Sequence, residues 1–124
     1  MGVTKQRHLI LKILSDGGTH MTADQILEKA RLVFPNISKG TIYRNLNLMA
    51  DDNAIKRVRI PGEPVFYDAN IIPHQHTVCV KCGKIMDIAG MGPEAVQKLV
   101  GPSARIVDYS LVIYVMCEIC LTWP

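Results

Sequence analysis

The sequence contains no run of 18 or more apolar residues, and its first residues form no signal-peptide core. A helix needs about 20 mostly apolar residues to cross a bilayer, so we expect neither a membrane-spanning helix nor a signal peptide. We therefore expect a soluble, cytoplasmic protein. There is also no internal repeat and no low-complexity segment in the 124 residues. This length allows one ordinary domain, or two of about 60 residues that a structural metal or a dimer interface would help to stabilise.

Cysteine is scarce, and all four cysteines lie in two C-x-x-C pairs, Cys79 with Cys82 and Cys117 with Cys120. In a reducing compartment such pairs are more often metal ligands than disulfides. Gly83 follows the first pair, as in a zinc knuckle, where a tight turn aims two thiolates at one point. A redox pair is the alternative, but no thioredoxin-like context surrounds either motif. The cysteines therefore predict a closed, tetrahedral zinc site.

Two histidines precede the first cysteine pair as His74-x-His76. If this stretch is a strand, both imidazoles fall on one face while Cys79 points to the other. Two imidazoles on one face suit a second metal, separate from the one that the thiolates would hold.

Charge is unevenly distributed, because residues 1–60 carry a net charge of +5 and residues 61–124 a net charge of −2. A basic half joined to a slightly acidic half rich in metal ligands suggests that one lobe binds a polyanion and the other senses something. On charge alone, an ordinary solvated surface remains an equal alternative.

Three helices are predicted in the basic half. Residues 5–15 show helical periodicity, and Thr22 begins a second helix in which Gln25 completes a capping box and Pro35 follows the end. Ser38 caps a third helix over residues 39–49. The positions expected to face the core are Leu9, Ile10, Ile13, Leu14, Ile26, Leu27, Ala30, Val33, Ile42, Leu46 and Met49.

The outward face of the third helix has the composition of a DNA recognition helix, because its side chains can read base edges and bond phosphates. A solvated helix face is the alternative. Residues 54–60 then alternate apolar with basic, and residues 65–67 return as a second strand after a turn, which predicts a basic wing. The predicted DNA contacts are Lys39, Thr41, Tyr43, Arg44 and Asn47 on the helix and Lys56, Arg57 and Arg59 on the wing.

The second half changes character. Strands are expected over residues 74–80 and 85–88, a helix over 93–100 and a long apolar strand over 105–116. A bare edge on so long a strand invites aggregation, so we expect a second subunit to cover it. The predicted fold is α+β, with a winged helix-turn-helix domain over 1–68, a hinge over 69–73 and a small α/β dimerisation domain over 74–124.

Three motifs taken together carry a family resemblance. They are the helix Gly40-Thr41-Ile42-Tyr43-Arg44-Asn45-Leu46, the cluster His74-x-His76-x-x-Cys79-x-x-Cys82-Gly83-Lys84 and the C-terminal C-x-x-C. From about residue 3 to residue 120 the chain resembles the ferric uptake regulator family of metal-dependent repressors. The resemblance implies a homodimer that binds double-stranded operator DNA when a regulatory metal is bound, and that is not an enzyme.

The resemblance also implies two metal sites. Cys79, Cys82, Cys117 and Cys120 take the role of structural zinc ligands. The regulatory site resembles that of the family's peroxide-responsive branch, whereas the iron-uptake branch usually has glutamate at the two aspartate positions. This nitrogen and oxygen set without a thiolate suits Fe(II) or Mn(II) better than zinc. The regulatory ligands implied are His20, Asp68, His74, His76 and Asp87.

Because these ligands come from both predicted domains, a bound metal would fix the angle between them about the hinge at 69–73. The resemblance further implies that peroxide, reduced at bound Fe(II), converts His20 or His74 to 2-oxo-histidine and releases the metal and the DNA, whereas Mn(II) resists oxidation. One alternative is an uptake regulator of the same family that senses the level of iron or manganese. Another is a metalloenzyme, against which the outward Lys39, Tyr43 and Arg44 argue.

Overall fold

The structure is a computed structural model that describes residues 2–17, 20–71, 75–88, 92–107, 109 and 111–122. The chain forms two compact units, Met1–Ile72 and Pro73–Pro124. Within the described ranges, no helix combines the length and the apolar character that crossing a membrane requires.

The first unit contains three helices and a small antiparallel sheet in the strand order β1-β3-β2. Three helices followed by a two-stranded hairpin form a winged helix-turn-helix. The elements are α1 (Val3–Gly17), β1 (Met21–Thr22), α2 (Ala23–Val33), α3 (Lys39–Asp51), β2 (Lys56–Val58) and β3 (Phe66–Asp68).

Both predicted helix caps are present. The Thr22 hydroxyl accepts a hydrogen bond from the Gln25 amide at 3.2 Å, and the Gln25 side chain accepts one from the Thr22 amide at 2.9 Å. The Ser38 hydroxyl accepts a hydrogen bond from the Thr41 amide at 3.1 Å. Each cap satisfies backbone donors that a helix start leaves without a partner, which stabilises the helix by about 1 kcal/mol.

The core of the first unit lies between the three helices, and most of the predicted core positions are buried in it. Val33 is an exception, since it is 58% exposed. The prediction for Val33 was wrong: this residue is the last of α2, where the Phe34 amide bonds the Ala30 carbonyl, and its side chain faces solvent at the helix end. The buried residues that form this core include Ile10, Ile13, Leu14, Ile26, Leu27, Ala30, Ile42, Leu46 and Met49.

The sheet of the first unit differs from the predicted hairpin. The strand expected over 54–60 is confined to β2, because the Ala54 and Ile55 amides bond the Met49 carbonyl at the end of α3. The sheet also gains β1, which pairs with β3 so that Met21 lies opposite Tyr67. A strand of two residues has no sequence signature, so the prediction missed it.

The second unit is a three-stranded sheet in the order β5-β4-β6, in which β4 is antiparallel to β5 and parallel to β6. Its elements are β4 (Gln75–Cys79), β5 (Ile85–Ile88), α4 (Pro93–Val100), β6 (Val112–Val115) and α5 (Glu118–Thr122). The predicted β5 and α4 are confirmed, with Pro93 in the first turn of its helix.

The second unit differs from the prediction in two features. Among the described residues of the strand expected over 105–116, only those of β6 pair with β4, at four positions. Residues 104–107 instead leave the helix as a loop, where Gln97 donates to the Ala104 carbonyl and Val107 is 95% exposed. The short helix α5 was not predicted. The fold class is α+β, as expected.

Candidate metal centres and nucleic-acid interface

The four cysteines of the second unit converge on one point. Their sulfur atoms all lie within 4.8 Å of one another, and the Sγ atoms of Cys82 and Cys117 are 3.7 Å apart. Tetrahedral zinc with Zn–S bonds of about 2.3 Å separates its sulfur ligands by about 3.8 Å. The cluster therefore has the dimensions of a zinc site.

Local backbone geometry explains how the cysteines meet. Cys79 ends β4, and the turn after it closes with Gly83 at a φ of 76°, where the Gly83 amide bonds the Cys79 carbonyl at 2.9 Å. A residue with a side chain is strained at that φ, which explains the glycine. Parallel pairing of β6 with β4 then brings Cys117 beside Cys79, and α5 carries Cys120.

The electrostatics of the cluster favour a bound cation. Amide groups of Cys82, Cys117 and Lys81 donate to the Cys79 sulfur at 3.4 to 3.5 Å, and they lower the pKa of Cys79 to about 5. The neighbouring thiols, Cys117 first, together with burial raise the pKa of Cys120 to about 12. One sulfur is thus prepared as a thiolate, whereas full ionisation of all four requires a metal among them. A structural zinc ion fits this donor set.

Among the described residues of the first unit, His20 and Asp68 form a histidine–aspartate pair. His20 Nε2 and Asp68 Oδ2 are 3.1 Å apart, and both side chains are largely buried. The pairing of β1 with β3 sets this contact, since Met21 faces Tyr67 and the next residues outward are His20 and Asp68. The strand that the sequence did not reveal is therefore what places the predicted His20 beside the predicted Asp68.

The second unit holds the other pair, formed by His76 and Asp87. These residues are direct partners in the antiparallel ladder of β4 and β5, and His76 Nε2 lies 3.5 Å from Asp87 Oδ1. His74 lies outside the described residues, so the predicted face shared by His74 and His76 stays a prediction. Each pair offers an imidazole nitrogen and a carboxylate oxygen, a donor set that fits Fe(II) or Mn(II).

The outward face of α3 is polar and basic. Lys39, Tyr43, Arg44 and Asn47 are exposed, and the Lys39 ammonium lies 5.5 Å from the centre of the Tyr43 ring. Thr41 is only half-exposed, and its hydroxyl is 2.8 Å from that of Ser38. Four of the five predicted contact residues on this helix are therefore exposed, with Tyr43 at 37%.

The three basic residues predicted for the wing have different surroundings. The guanidinium of Arg57 lies against the end of α3, where it is 3.1 Å from Asp51 Oδ1 and 3.4 Å from Asn47 Oδ1. Lys56 is half-buried and Arg59 is exposed. Arg59 is thus the most open of the three cations.

Two residues near this face were missed from the sequence. Asn45 is buried on α3, and its amide donates to Gln6 Oε1 at 2.9 Å and to the Thr41 carbonyl at 2.8 Å, which ties α1 to α3. Its only sequence signal was a polar residue at a core position, three after Ile42. Asp24 on α2 contacts both Lys39 and Tyr43, and no motif marked it.

Comparison with known proteins places the chain in a family. The model of the ferric uptake regulator family matches residues 1–114. The peroxide operon regulator of Bacillus subtilis (strain 168) is 32% identical over 120 residues, which cover 95% of this chain and 83% of that protein.

Solved structures agree with the family match. The ferric uptake regulator from Francisella tularensis with iron is 34% identical, with a TM-score of 0.79 and coverage of 98% of this chain and 95% of that one. The Campylobacter jejuni peroxide stress regulator is 28% identical, with a TM-score of 0.77 and coverage of 95% and 90%. The chain therefore belongs to the ferric uptake regulator family, as a metal-responsive transcription repressor and not an enzyme.

Proposed function

We propose that this protein is a cytoplasmic, homodimeric repressor that binds double-stranded operator DNA and senses peroxide by oxidation of a histidine at its regulatory Fe(II) or Mn(II) site. Two metals have separate roles in this proposal. Zinc, held by the four cysteines, stabilises the second unit. The regulatory metal is held by His20, Asp68, His74, His76 and Asp87.

The observation that carries this proposal is the pair of histidine–aspartate contacts, one in each compact unit. Neither pair includes a thiolate, so the donors favour a redox-active metal such as iron over zinc. The peroxide regulators of Bacillus subtilis and Campylobacter jejuni, both similar to this chain over 95% of its length, support the peroxide branch.

The residues of this chain would bind the regulatory metal and couple its binding to motion about the hinge. His20 and Asp68 hold their positions through β1 and β3, and His76 and Asp87 through β4 and β5. Donors on both sides of residues 69–73 would restrict motion about this hinge when they share one ion. The two recognition helices of a dimer would then match the spacing of the DNA half-sites.

Bound Fe(II) supplies the chemistry that activates peroxide. In the net reaction, hydrogen peroxide would be reduced to water, its other oxygen atom would become a carbonyl at C2 of the His20 or His74 imidazole, and the C2 hydrogen would move to the unprotonated ring nitrogen, so that the ring gains one oxygen and loses no atom. The modified ring is a poorer ligand because its nitrogens become amide-like. Loss of the metal then frees the hinge, and the repressor leaves its operator.

DNA binding is assigned to the exposed face of α3 and to the wing. Arg44 and Asn47 are the candidates for reading bases, since arginine pairs with guanine and asparagine with adenine in the major groove. Lys39, Thr41, Tyr43, Lys56, Arg57 and Arg59 are the candidates for contacting the backbone.

A metal-level sensor of the same family is the second candidate. The solved structure that is 34% identical to this chain is a ferric uptake regulator with iron. Such a protein would use the same ligands and the same DNA face but would stay unmodified by peroxide. Peroxide treatment of the iron-loaded protein therefore separates the two candidates.

The repressor proposal is tested by selecting bound sequences from a random duplex pool with Mn(II)-loaded protein and measuring affinity for the selected site. Arg44→Ala should abolish preference for that site while leaving metal content unchanged. Arg105→Ala removes another exposed arginine, from the second unit, and serves as the control. Equal binding of the selected site by the Arg44→Ala and Arg105→Ala variants would contradict the assigned face.

A further inference from the structure

Asp24 lies in the first turn of α2 and contacts two residues of the proposed DNA face. Its Oδ1 atom is 3.6 Å from the Lys39 ammonium and accepts a hydrogen bond from the Tyr43 hydroxyl at 3.3 Å. The Lys39 ammonium also lies over the Tyr43 ring. One carboxylate oxygen therefore serves both a cation and a phenol that are expected to meet DNA.

The position of Asp24 in the helix-turn-helix brings its contacts with Lys39 and Tyr43 close to where DNA is expected to bind. In a helix-turn-helix, the first helix of the motif crosses the DNA backbone and the second enters the major groove. Asp24 belongs to the first of these helices and Lys39 and Tyr43 to the second. A carboxylate oxygen beside an ammonium and a hydroxyl offers the same interactions as a phosphate oxygen.

We propose that Asp24 acts as an internal substitute for a DNA phosphate, which occupies Lys39 and Tyr43 in the free protein and thereby limits operator affinity. The inference rests on the proposed DNA-binding function. In the complex, Lys39 exchanges Asp24 for a phosphate, and the gain from the new contact is reduced by the loss of the old one.

The expected effect is moderate because the pair is open to solvent, with 62% of the Lys39 side chain and 70% of the Asp24 side chain exposed. Exposed ion pairs contribute up to about 1 kcal/mol, so removing the Asp24 charge should tighten binding about 2- to 5-fold. Asp24 also favours α2 through the positive end of the helix dipole. The same residue thus stabilises its helix while it weakens DNA binding.

The salt dependence of DNA affinity provides a second test of the role of Asp24. When Lys39 moves to a phosphate it releases a counterion from DNA, but the abandoned Asp24 takes up a cation from solution. The two exchanges offset each other in the wild-type protein. Without the Asp24 charge the offset disappears, so the plot of log affinity against log salt should steepen by up to about 0.9, the contribution of one phosphate contact.

The test compares Asp24→Asn with Asp16→Asn in the Mn(II)-loaded dimer, using fluorescence anisotropy with the selected duplex across a salt series. Both substitutions change the net charge equally, and Asp16 is exposed at the end of α1. The same comparison in a Lys39→Gln background shows whether the effect depends on Lys39. Thermal melting checks that each variant is folded.

The inference predicts that Asp24→Asn binds tighter than Asp16→Asn, with a steeper salt slope, and that this advantage disappears when Lys39 is replaced. Equal affinities and slopes for the two asparagine variants would overturn it. An advantage that persists in the Lys39→Gln background would also overturn it, because long-range repulsion would then be the cause. If the wild-type protein binds no duplex, the proposed function itself fails.

Discussion

Cys79 shows how much of the zinc site depends on a single residue. It is nearly fully buried, and its sulfur accepts hydrogen bonds from three backbone amides, two in its own turn and one at Cys117, just after β6. The C-x-x-C spacing predicted a metal ligand. The hydrogen bond from the Cys117 amide and the unequal acidities within the cluster depend on tertiary contacts between segments far apart in sequence, so they could not be predicted.

Cys79→Ser should abolish zinc binding and destabilise the second unit. The expected result is loss of the zinc equivalent by elemental analysis and loss of the cooperative thermal transition of that unit, since structural zinc contributes directly to folding. Lys81→Ala changes an exposed side chain in the same turn and should keep the metal. Zinc retained at full stoichiometry in Cys79→Ser would contradict the four-sulfur site.

Among the helices and strands, the sequence correctly predicted those features whose signal lies within a single helix or turn. Thr22 and Ser38 were predicted as caps because the capping pattern is contained within four residues. The failures are β1 and the overlong strand over 105–116, whose extents depend on the partner strand and not on propensity.

Thr22 contributes both to the stability of α2 and to the candidate metal site. It caps α2, and it belongs to β1, the strand that positions His20. Thr22→Ala should lower the free energy of unfolding by about 1 kcal/mol and weaken Mn(II) binding. Urea denaturation and metal titration measure the two effects. Thr22→Ser keeps the hydroxyl and should restore both. An unchanged metal affinity in Thr22→Ala would show that the cap does not contribute to metal binding.

The wing has two arginines, Arg57 within β2 and Arg59 just after it, that should behave differently. Arg57 is paired with Asp51, so Arg57→Gln should cost up to about 1 kcal/mol of stability. When Arg57 contacts a phosphate, the released Asp51 takes up a cation, so this variant should reduce the salt slope of DNA binding by much less than about 0.9. Arg59 is exposed, so Arg59→Gln should keep stability and reduce the salt slope by about 0.9. Equal slopes for the two variants would remove this distinction.

At the scale of the whole molecule, the sequence predicted a dimer that the second unit would form. The sheet of this unit leaves apolar side chains exposed on β6, including Tyr114 at 53%. Tyr114→Glu should convert the dimer into a monomer in sedimentation experiments, because a buried unpaired charge opposes association. Leu32→Glu alters an even more exposed apolar residue of the first unit and should leave the dimer intact. Dimers in both variants would place the interface elsewhere.

Part of the mechanism of the whole molecule could be predicted from the sequence. Ligand types and their order along the chain identify the metal chemistry, since thiolates and imidazole–carboxylate sets select different ions. The competition between Asp24 and DNA could not be predicted, because Asp24 and Lys39 meet only after α2 and α3 pack together.

Whether histidine oxidation at the regulatory metal is the signal can be decided by intact-mass spectrometry with peptide mapping. Fe(II)-loaded and Mn(II)-loaded protein are compared before and after a brief peroxide pulse. We expect a gain of one oxygen atom on His20 or His74 with iron and no gain with manganese. Unmodified histidines in protein that retains bound iron would contradict it and leave a sensor of metal level. Oxidation confined to the four cysteines, with loss of zinc, would move the sensing chemistry to the thiolates.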